Sequence, residues 1–130
     1  MTCIKPDADA LRSAYEAFNR RDAETLLAMM HPDVDWPNAV EGGRVRGRDN
    51  VREYWRKQWA AINPHIEPLA FQDDKQGRMI VDVRQVVRDL SGTIIVDRTL
   101  QHVYSLRDGL IERMEIHTPD GQPTTESAMK

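Results

Sequence analysis

Apolar residues along this chain change their period near its middle. In the first half they recur at helical intervals. Leu11, Tyr15 and Phe18 are spaced by four and three, which puts them on one face of a helix that Asp7 or Asp9 can cap. Asp22 can cap a second helix carrying Leu26, Leu27, Met29 and Met30, and His31-Pro32 stops it. Val34 and Trp36 then alternate with Asp33 and Asp35 in a short extended piece. Residues 37–47 (PNAVEGGRVRG) are rich in turn formers and read as a loop or a short irregular hairpin. Val51, Tyr54, Trp55, Trp59 and Ile62 mark a third helix from about Asp49, which Asn63-Pro64 ends.

From there the period falls to two. Residues 65–71 make a first candidate strand, and Pro68 within it suits an edge or a bulge. Residues 79–90, 93–107 and 110–117 follow as longer strands, separated by Ser91-Gly92 and Asp108-Gly109. Both dipeptides suit two-residue hairpin turns, Asp-Gly the better. Helices followed by an antiparallel meander predict an α+β fold with helices against one face of a sheet.

Two-residue turns would make Leu90 face Thr93 and Arg107 face Leu110, and opposed residues share a face. One face then holds Met79, Val81, Val83, Val87 and Leu100, together with Gln85, Arg98, His102 and Tyr104. From the last strand it takes Ile111, Arg113, Glu115 and His117. The other face is mostly charged, with one apolar row of Ile80, Val103 and Met114 and with Ile116 nearby. The aliphatic face should lie under the helices. Burying a charge costs several kcal/mol unless it is paired or solvated, so its polar members predict a cavity rather than a solid core.

In this register His102 stands opposite Glu115, with Cβ atoms about 4.5–5.5 Å apart. A carboxylate so placed orients an imidazole and raises its basicity, which suits it to move a proton near neutral pH. Either His102 or Glu115 is then the acid/base group, and Tyr104 and Arg113 beside them suit an enolate or a carboxylate. A satisfied buried polar pair with a structural role is the alternative. His117, His102 and Glu115 together offer two imidazoles and a carboxylate, but the spacing is only permissive and no metal site or other cofactor is assigned. Trp36 and Trp55 are candidates for the pocket lining, although helical spacing explains Trp55, Tyr54 and Trp59 equally well as core. Arg98, opposite Gln85, either binds an anion or pairs with a carboxylate, and His117 and Gln85 complete the substrate-binding candidates. Ile80, Val103, Met114 and Ile116 form a candidate homodimer seam on the outer face.

Composition narrows the classes. The 130 residues make one domain (1–130), with a core of about 7–118 and a polar surface tail over 119–130. Lys plus Arg is 18 against 21 Asp plus Glu, a net charge of -3, so no basic excess points to nucleic acid. No apolar run is long enough to span a membrane, and the start MTCIKPDADA lacks the apolar centre of a signal peptide, so a cytoplasmic protein is expected. The lone Cys3 excludes an intramolecular disulfide and a cysteine-based zinc site.

The order of elements and several local sequences resemble the SnoaL-like branch of the NTF2-like (nuclear transport factor 2 / ketosteroid isomerase) superfamily. The matching pieces are Ala17-Phe18-Asn19-Arg20-Arg21-Asp22, His31-Pro32-Asp33-Val34-Asp35-Trp36, Gly47-Arg48-Asp49-Asn50-Val51 and Leu106-Arg107-Asp108-Gly109-Leu110-Ile111, within residues 7–118. The resemblance implies a cone-shaped α+β barrel, three N-terminal helices packed on a curved, mostly antiparallel sheet, with a pocket between them. It also implies a homodimer through the outer face. Its members include polyketide cyclases, ketosteroid isomerases, dehydratases, epoxide hydrolases and binding modules, so fold alone does not settle function. The general-base Asp of ketosteroid isomerases would precede Pro37, where Trp36 stands, and their helix tyrosine would fall at Ala14, one before Tyr15. The Asp-Arg-Asp triad of limonene-type epoxide hydrolases finds an arginine in Arg98 but no Asp pair on the inner face. The cyclases' acid/base Asp falls near Glu115 and His117 without a residue-for-residue match. Two functions follow as expectations. One is a cofactor-independent isomerase, cyclase or dehydratase doing acid/base chemistry on a small hydrophobic molecule. The other is a non-catalytic ligand-binding or dimerisation module.

Overall fold

Leu11, Tyr15 and Phe18 are buried along one side of α1 (Ala8–Asn19), as their spacing predicts. The computed structural model describes residues 8–38, 42–73 and 77–120. Cys3, the possible cap Asp7 and residues 121–130 of the polar tail lie outside the described residues. Arg21 closes α1 in the left-handed region with φ 65. Asp22 then caps α2 (Ala23–Leu27), its carboxylate accepting from the Thr25 amide at 3.2 Å. β1 (Met30–Pro37) and β2 (Arg44–Arg46) form a short antiparallel hairpin. Gly47, at φ 84, turns the chain from β2 into α3 (Arg48–Ala61), and its N–H donates to Val34 O at 2.8 Å.

The remaining strands are β3 (Asn63–Asp73), β4 (Met79–Arg88), β5 (Ile94–Arg107) and β6 (Leu110–His117). The six strands lie in the order β2-β1-β6-β5-β4-β3, with β1 parallel to β6 and the other pairs antiparallel. The α+β class is as expected, with two refinements. The sheet is curved but unclosed, with β2 and β3 as its edges, so it is not a sealed cone. A hairpin also separates α3 from the first two helices. Pro68 does sit beside a bulge on an edge strand. Asn19 ties α1 to that strand by exchanging two hydrogen bonds with the Ile66 backbone, at 2.9 and 3.0 Å.

Helices and sheet meet over a core that includes Leu11, Val34, Val51, Trp55, Val81, Val83 and Ile111, all essentially without solvent contact. Trp55 is the largest fully buried side chain, and truncating such a residue to alanine costs about 3–5 kcal/mol.

The predicted β4–β5 register holds from Met79 opposite Tyr104 to Val87 opposite Val96. Its turn is longer than two residues: Asp89 N donates to Thr93 O at 2.8 Å, and the register shifts between Val87 and Arg88. That shift compensates for the longer loop, so the faces beyond it are as expected. The β5–β6 turn is the two-residue one, with Asp108 at φ 54 and Gly109 at φ 80, the mirror-image turn that suits strand twist.

The expected β5–β6 register lasts only two pairs. Leu106 faces Ile111, but the next pair is Ser105 with Arg113, which leaves Glu112 as the extra residue of a β-bulge. Side chains alternate with a period of two, so one extra residue exchanges the faces of all that follow. Met114 and Ile116 therefore turn inward, opposite Tyr104 and His102. Arg113, Glu115 and His117 turn outward, opposite Ser105, Val103 and Gln101. The expected pairing of His102 with Glu115 does not form. The expected outer seam loses Met114 and Ile116, leaving Ile80 and the buried Val103.

Candidate functional site

Between α1, α3 and the inner sheet face lies a cavity of about 50 Å³. Phe18, Trp36, Trp55, Met114 and Ile116 form much of its apolar wall. Trp36 reaches it because β1 alternates, Val34 and Trp36 pointing inward while Asp35 points to the other face. Trp36 meets Trp55 edge-on at 5.6 Å between ring centroids, and Trp55 stacks on Trp59 at 5.9 Å.

The polar end of the cavity is built from three side chains on two elements. Tyr104 Oη donates to Tyr15 Oη at 2.7 Å, and Tyr15 Oη lies 2.8 Å from His102 Nδ1. With one lone pair engaged by Tyr104, Tyr15 keeps a second lone pair and one proton to give. Donating it to Nδ1 makes His102 the tautomer protonated on Nε2. Each of the three is at most 4% exposed. Burial lowers the His102 pKa to about 3, so the ring is neutral at pH 7. Burial likewise pushes both tyrosine hydroxyls above their ordinary value, and the neighbouring Tyr104 adds to the rise at Tyr15. The result is a relay of three neutral groups in an aromatic pocket. It can donate hydrogen bonds to an oxygen, and it accepts a proton where nearby negative charge compensates the imidazolium.

Two buried amides complete the lining. Gln85 accepts from Arg98 Nε at 3.1 Å, so the expected neighbours on β4 and β5 do meet, through an amide that lines the cavity. Gln58 donates from Nε2 to Tyr54 Oη at 3.2 Å, while its buried Oε1 has no hydrogen-bond partner among the described residues.

The other predicted residues gather on the opposite side of the sheet. Glu115 Oε2 accepts from Arg113 Nε at 2.9 Å, and Glu115 Oε1 lies 2.9 Å from His117 Nε2. Hydrogen bonds from His117 and Arg113 hold the Glu115 carboxyl below its ordinary value. Arg113 also binds Asp35, which is buried and accepts from Arg44 Nε at 2.7 Å. Arg44 reaches on to the Met114 carbonyl at 2.7 Å, so this network ties β1, β2 and β6 together. His102 lies on the other face from Glu115 and His117, so the three cannot share a metal. Among the described residues no group of three His, Cys, Asp or Glu is placed to hold one.

Thus His102, Tyr104, Trp36, Trp55 and Gln85 line the cavity, and Glu115, Arg113, His117 and Arg98 do not. Sequence reasoning placed Tyr15 on the helix core face and missed its part in the relay. The signal was available: a tyrosine on a buried helix face needs a partner for its hydroxyl. Gln58 follows Val51 and Trp55 along the buried side of α3 and was also missed.

The family model of the SnoaL-like domain matches residues 11–114. Among solved structures, TerC co-crystallised with polyporic acid is 27% identical, with a TM-score of 0.75 over 89% of this chain and 93% of that one. An NTF2-like protein of unknown function from Burkholderia pseudomallei is 29% identical, with a TM-score of 0.72 over 83% of this chain and 86% of that one. A provisionally assigned polyketide cyclase from Sinorhizobium meliloti is 24% identical, with a TM-score of 0.70 over 84% and 94%, and supports the fold. No curated protein matches the chain. No helix among the described residues is long and apolar enough to cross a membrane.

Proposed function

This chain belongs to the SnoaL-like family, and on that premise we propose that it binds a small, ring-bearing, largely apolar carbonyl compound in the inner cavity and moves a proton on it without a resident cofactor. The observation that carries this reading is the Tyr104–Tyr15–His102 hydrogen-bonded chain at the end of an aromatic pocket. The crystallisation of TerC with a small organic compound supports a ligand of this kind.

In the proposed step the C–H beside the carbonyl loses its proton to Tyr15 Oη as Tyr15 passes its own proton to His102 Nδ1. The C–H electron pair becomes the enolate, and Tyr104 donates to the tyrosine that carries the transfer. Burial opposes an isolated imidazolium, so the transfer depends on the enolate formed beside it. Trp36 and Trp55 hold the ring, and Gln85 offers a further hydrogen bond. Glu115, Arg113 and His117 have no part in this step, because the bulge at Glu112 turns them away.

A second reading, binding without turnover, is favoured by one observation: His102 is buried against the Tyr15 hydroxyl rather than a carboxylate, surroundings that make it a weak base. The test is deuterium exchange into 2-tetralone in D2O, followed by NMR. Exchange faster than buffer, lost in Tyr15→Phe and His102→Phe, supports the enzyme. Background exchange with binding intact supports the binding module, and no binding at all defeats both.

The outer face remains our proposal for a homodimer contact, now through Ile80 and the charged row over Val103. Sedimentation at micromolar concentration tests it, and a clean monomer defeats it.

A further inference from the structure

The inner cavity has a second polar end, away from the relay. Val81 faces His102 across β4 and β5, and Gln85 lies four residues further along β4, about 13 Å at the rise of a strand. Alternation keeps Gln85 on the inner face, where it lines the cavity. The last turn of α3 reaches the same end. Ile62 N donates to Gln58 O at 2.9 Å, and the chain then enters β3, whose Ile66 stands opposite Gln85. Gln58 also lines the cavity, and the two side chains are only 8% and 7% exposed.

Neither amide has its hydrogen bonds completed by the protein. Gln58 donates to Tyr54 Oη at 3.2 Å, which leaves its buried Oε1 with no partner among the described residues. Buried polar atoms in native folds are nearly all hydrogen-bonded, so an orphan carbonyl on a cavity wall is a place for a donor on a ligand. Gln85 has the opposite polarity. Its Oε1 accepts from Arg98 Nε at 3.1 Å. A guanidinium only donates, so the amide atom it meets is the oxygen, and Nε2 is turned away from Arg98 with its two N–H groups.

The wall around these amides is neutral. No Asp, Glu, Lys or Arg lines the cavity among the described residues. A carboxylate here would meet the Gln58 carbonyl with no cation on the wall, and an ammonium would find no carboxylate. A hydroxyl group suits both amides, because it donates one hydrogen bond and accepts another.

We propose that the ligand carries a hydroxyl group at the end of its ring system away from the relay, donating to Gln58 Oε1 and accepting from Gln85 Nε2. This rests on the pocket reading above and adds to it the substituent that sets the ligand's direction. The carbonyl points to Tyr15 and His102, and the hydroxyl points to the two glutamines. The space of about 50 Å³ has room for a few waters, so a ring enters as the wall gives way. Met114, unbranched and adaptable, is the lining side chain suited to move.

The experiment compares 6-hydroxy-2-tetralone with 2-tetralone by calorimetric titration. The hydroxyl compound should bind the wild type about tenfold more tightly, as two neutral hydrogen bonds warrant. In Gln58→Met and in Gln85→Met the advantage should fall to about threefold, and in the double variant it should vanish. Methionine matches glutamine in length, and 2-tetralone binding within about twofold of wild type shows that the pocket is intact. On the wild type alone, 6-methoxy-2-tetralone accepts but cannot donate, so it should lose most of the advantage. Equal binding of 2-tetralone and its hydroxyl derivative by the wild type overturns the proposal and leaves the pocket reading standing. So does an advantage that survives the double substitution, or a methoxy compound that binds as tightly as the hydroxyl one. If no compound binds the wild type, both fall.

Discussion

Removing one oxygen atom, in Tyr15→Phe, tests the relay at its centre. Tyr15 Oη accepts from Tyr104 at 2.7 Å and lies 2.8 Å from His102 Nδ1. Phenylalanine keeps the ring and its packing but leaves two buried polar atoms alone, the Tyr104 hydroxyl and the His102 nitrogen. Each stranded group costs about 1–3 kcal/mol. The adjoining cavity of about 50 Å³ has room for a water that would recover part of this. A net loss of about 2–4 kcal/mol follows from these terms. Tyr104→Phe is milder, because Tyr15 keeps its bond to His102. Urea unfolding of both single variants and the double variant closes a cycle whose expected coupling is about 1–2 kcal/mol. Additive single effects, or a Tyr15→Phe loss under about 0.5 kcal/mol, would refute the relay as a connected structure.

Other consequences are equally open to test. His102 has a folded pKa of about 3, below its unfolded value, so the unfolded chain binds a proton that the folded chain refuses. Stability should fall as the pH drops from about 6.5 toward 4.5, above the range where Glu115 contributes, with a slope approaching about 1.4 kcal/mol per pH unit. His102→Phe should flatten that segment of a pH–denaturation series; an unchanged slope would contradict a buried neutral ring. Glu115→Gln should cost about 1 kcal/mol or less through the weakened Arg113 and His117 contacts. Titration of the pocket with 2-tetralone should be unaffected, and a loss of binding would put Glu115 back on the inner face. Deleting Glu112 removes the extra residue and leaves Arg113 opposite Ser105 and Met114 opposite Tyr104, so Arg113, Glu115 and His117 should stay outward on a regular strand. Thermal unfolding followed by circular dichroism should remain cooperative, and its loss would contradict a bulge at Glu112.

Local chemistry carried much of the fold. Asp22 was legible as a cap because its carboxylate reaches the Thr25 amide within one turn. Asp108-Gly109 was legible as a tight turn because both residues tolerate positive φ. The inward set of β4 and most of β5 followed from alternation, and with it the place of His102, Tyr104 and Gln85 on the cavity wall.

What the tertiary structure alone decided is the orientation of five residues after Glu112 and the partners of Tyr15. The run Ile111, Met114, Ile116, spaced three and then two, was consistent with a bulge. It was equally consistent with an unbroken strand that faced Arg113, Glu115 and His117 into a wet cavity. The choice turns on whether the space under the helices is apolar, and Trp36, Trp55 and Phe18, brought together from three distant segments, make it so. Against such a wall two apolar side chains are stabilised and three polar ones are penalised, so the strand gives up one backbone pairing to exchange its faces. The sequence by itself determined which residues could carry chemistry. Packing determined that His102 meets Tyr15 and not Glu115, because a period of two lets one residue move a charge from the core to the surface.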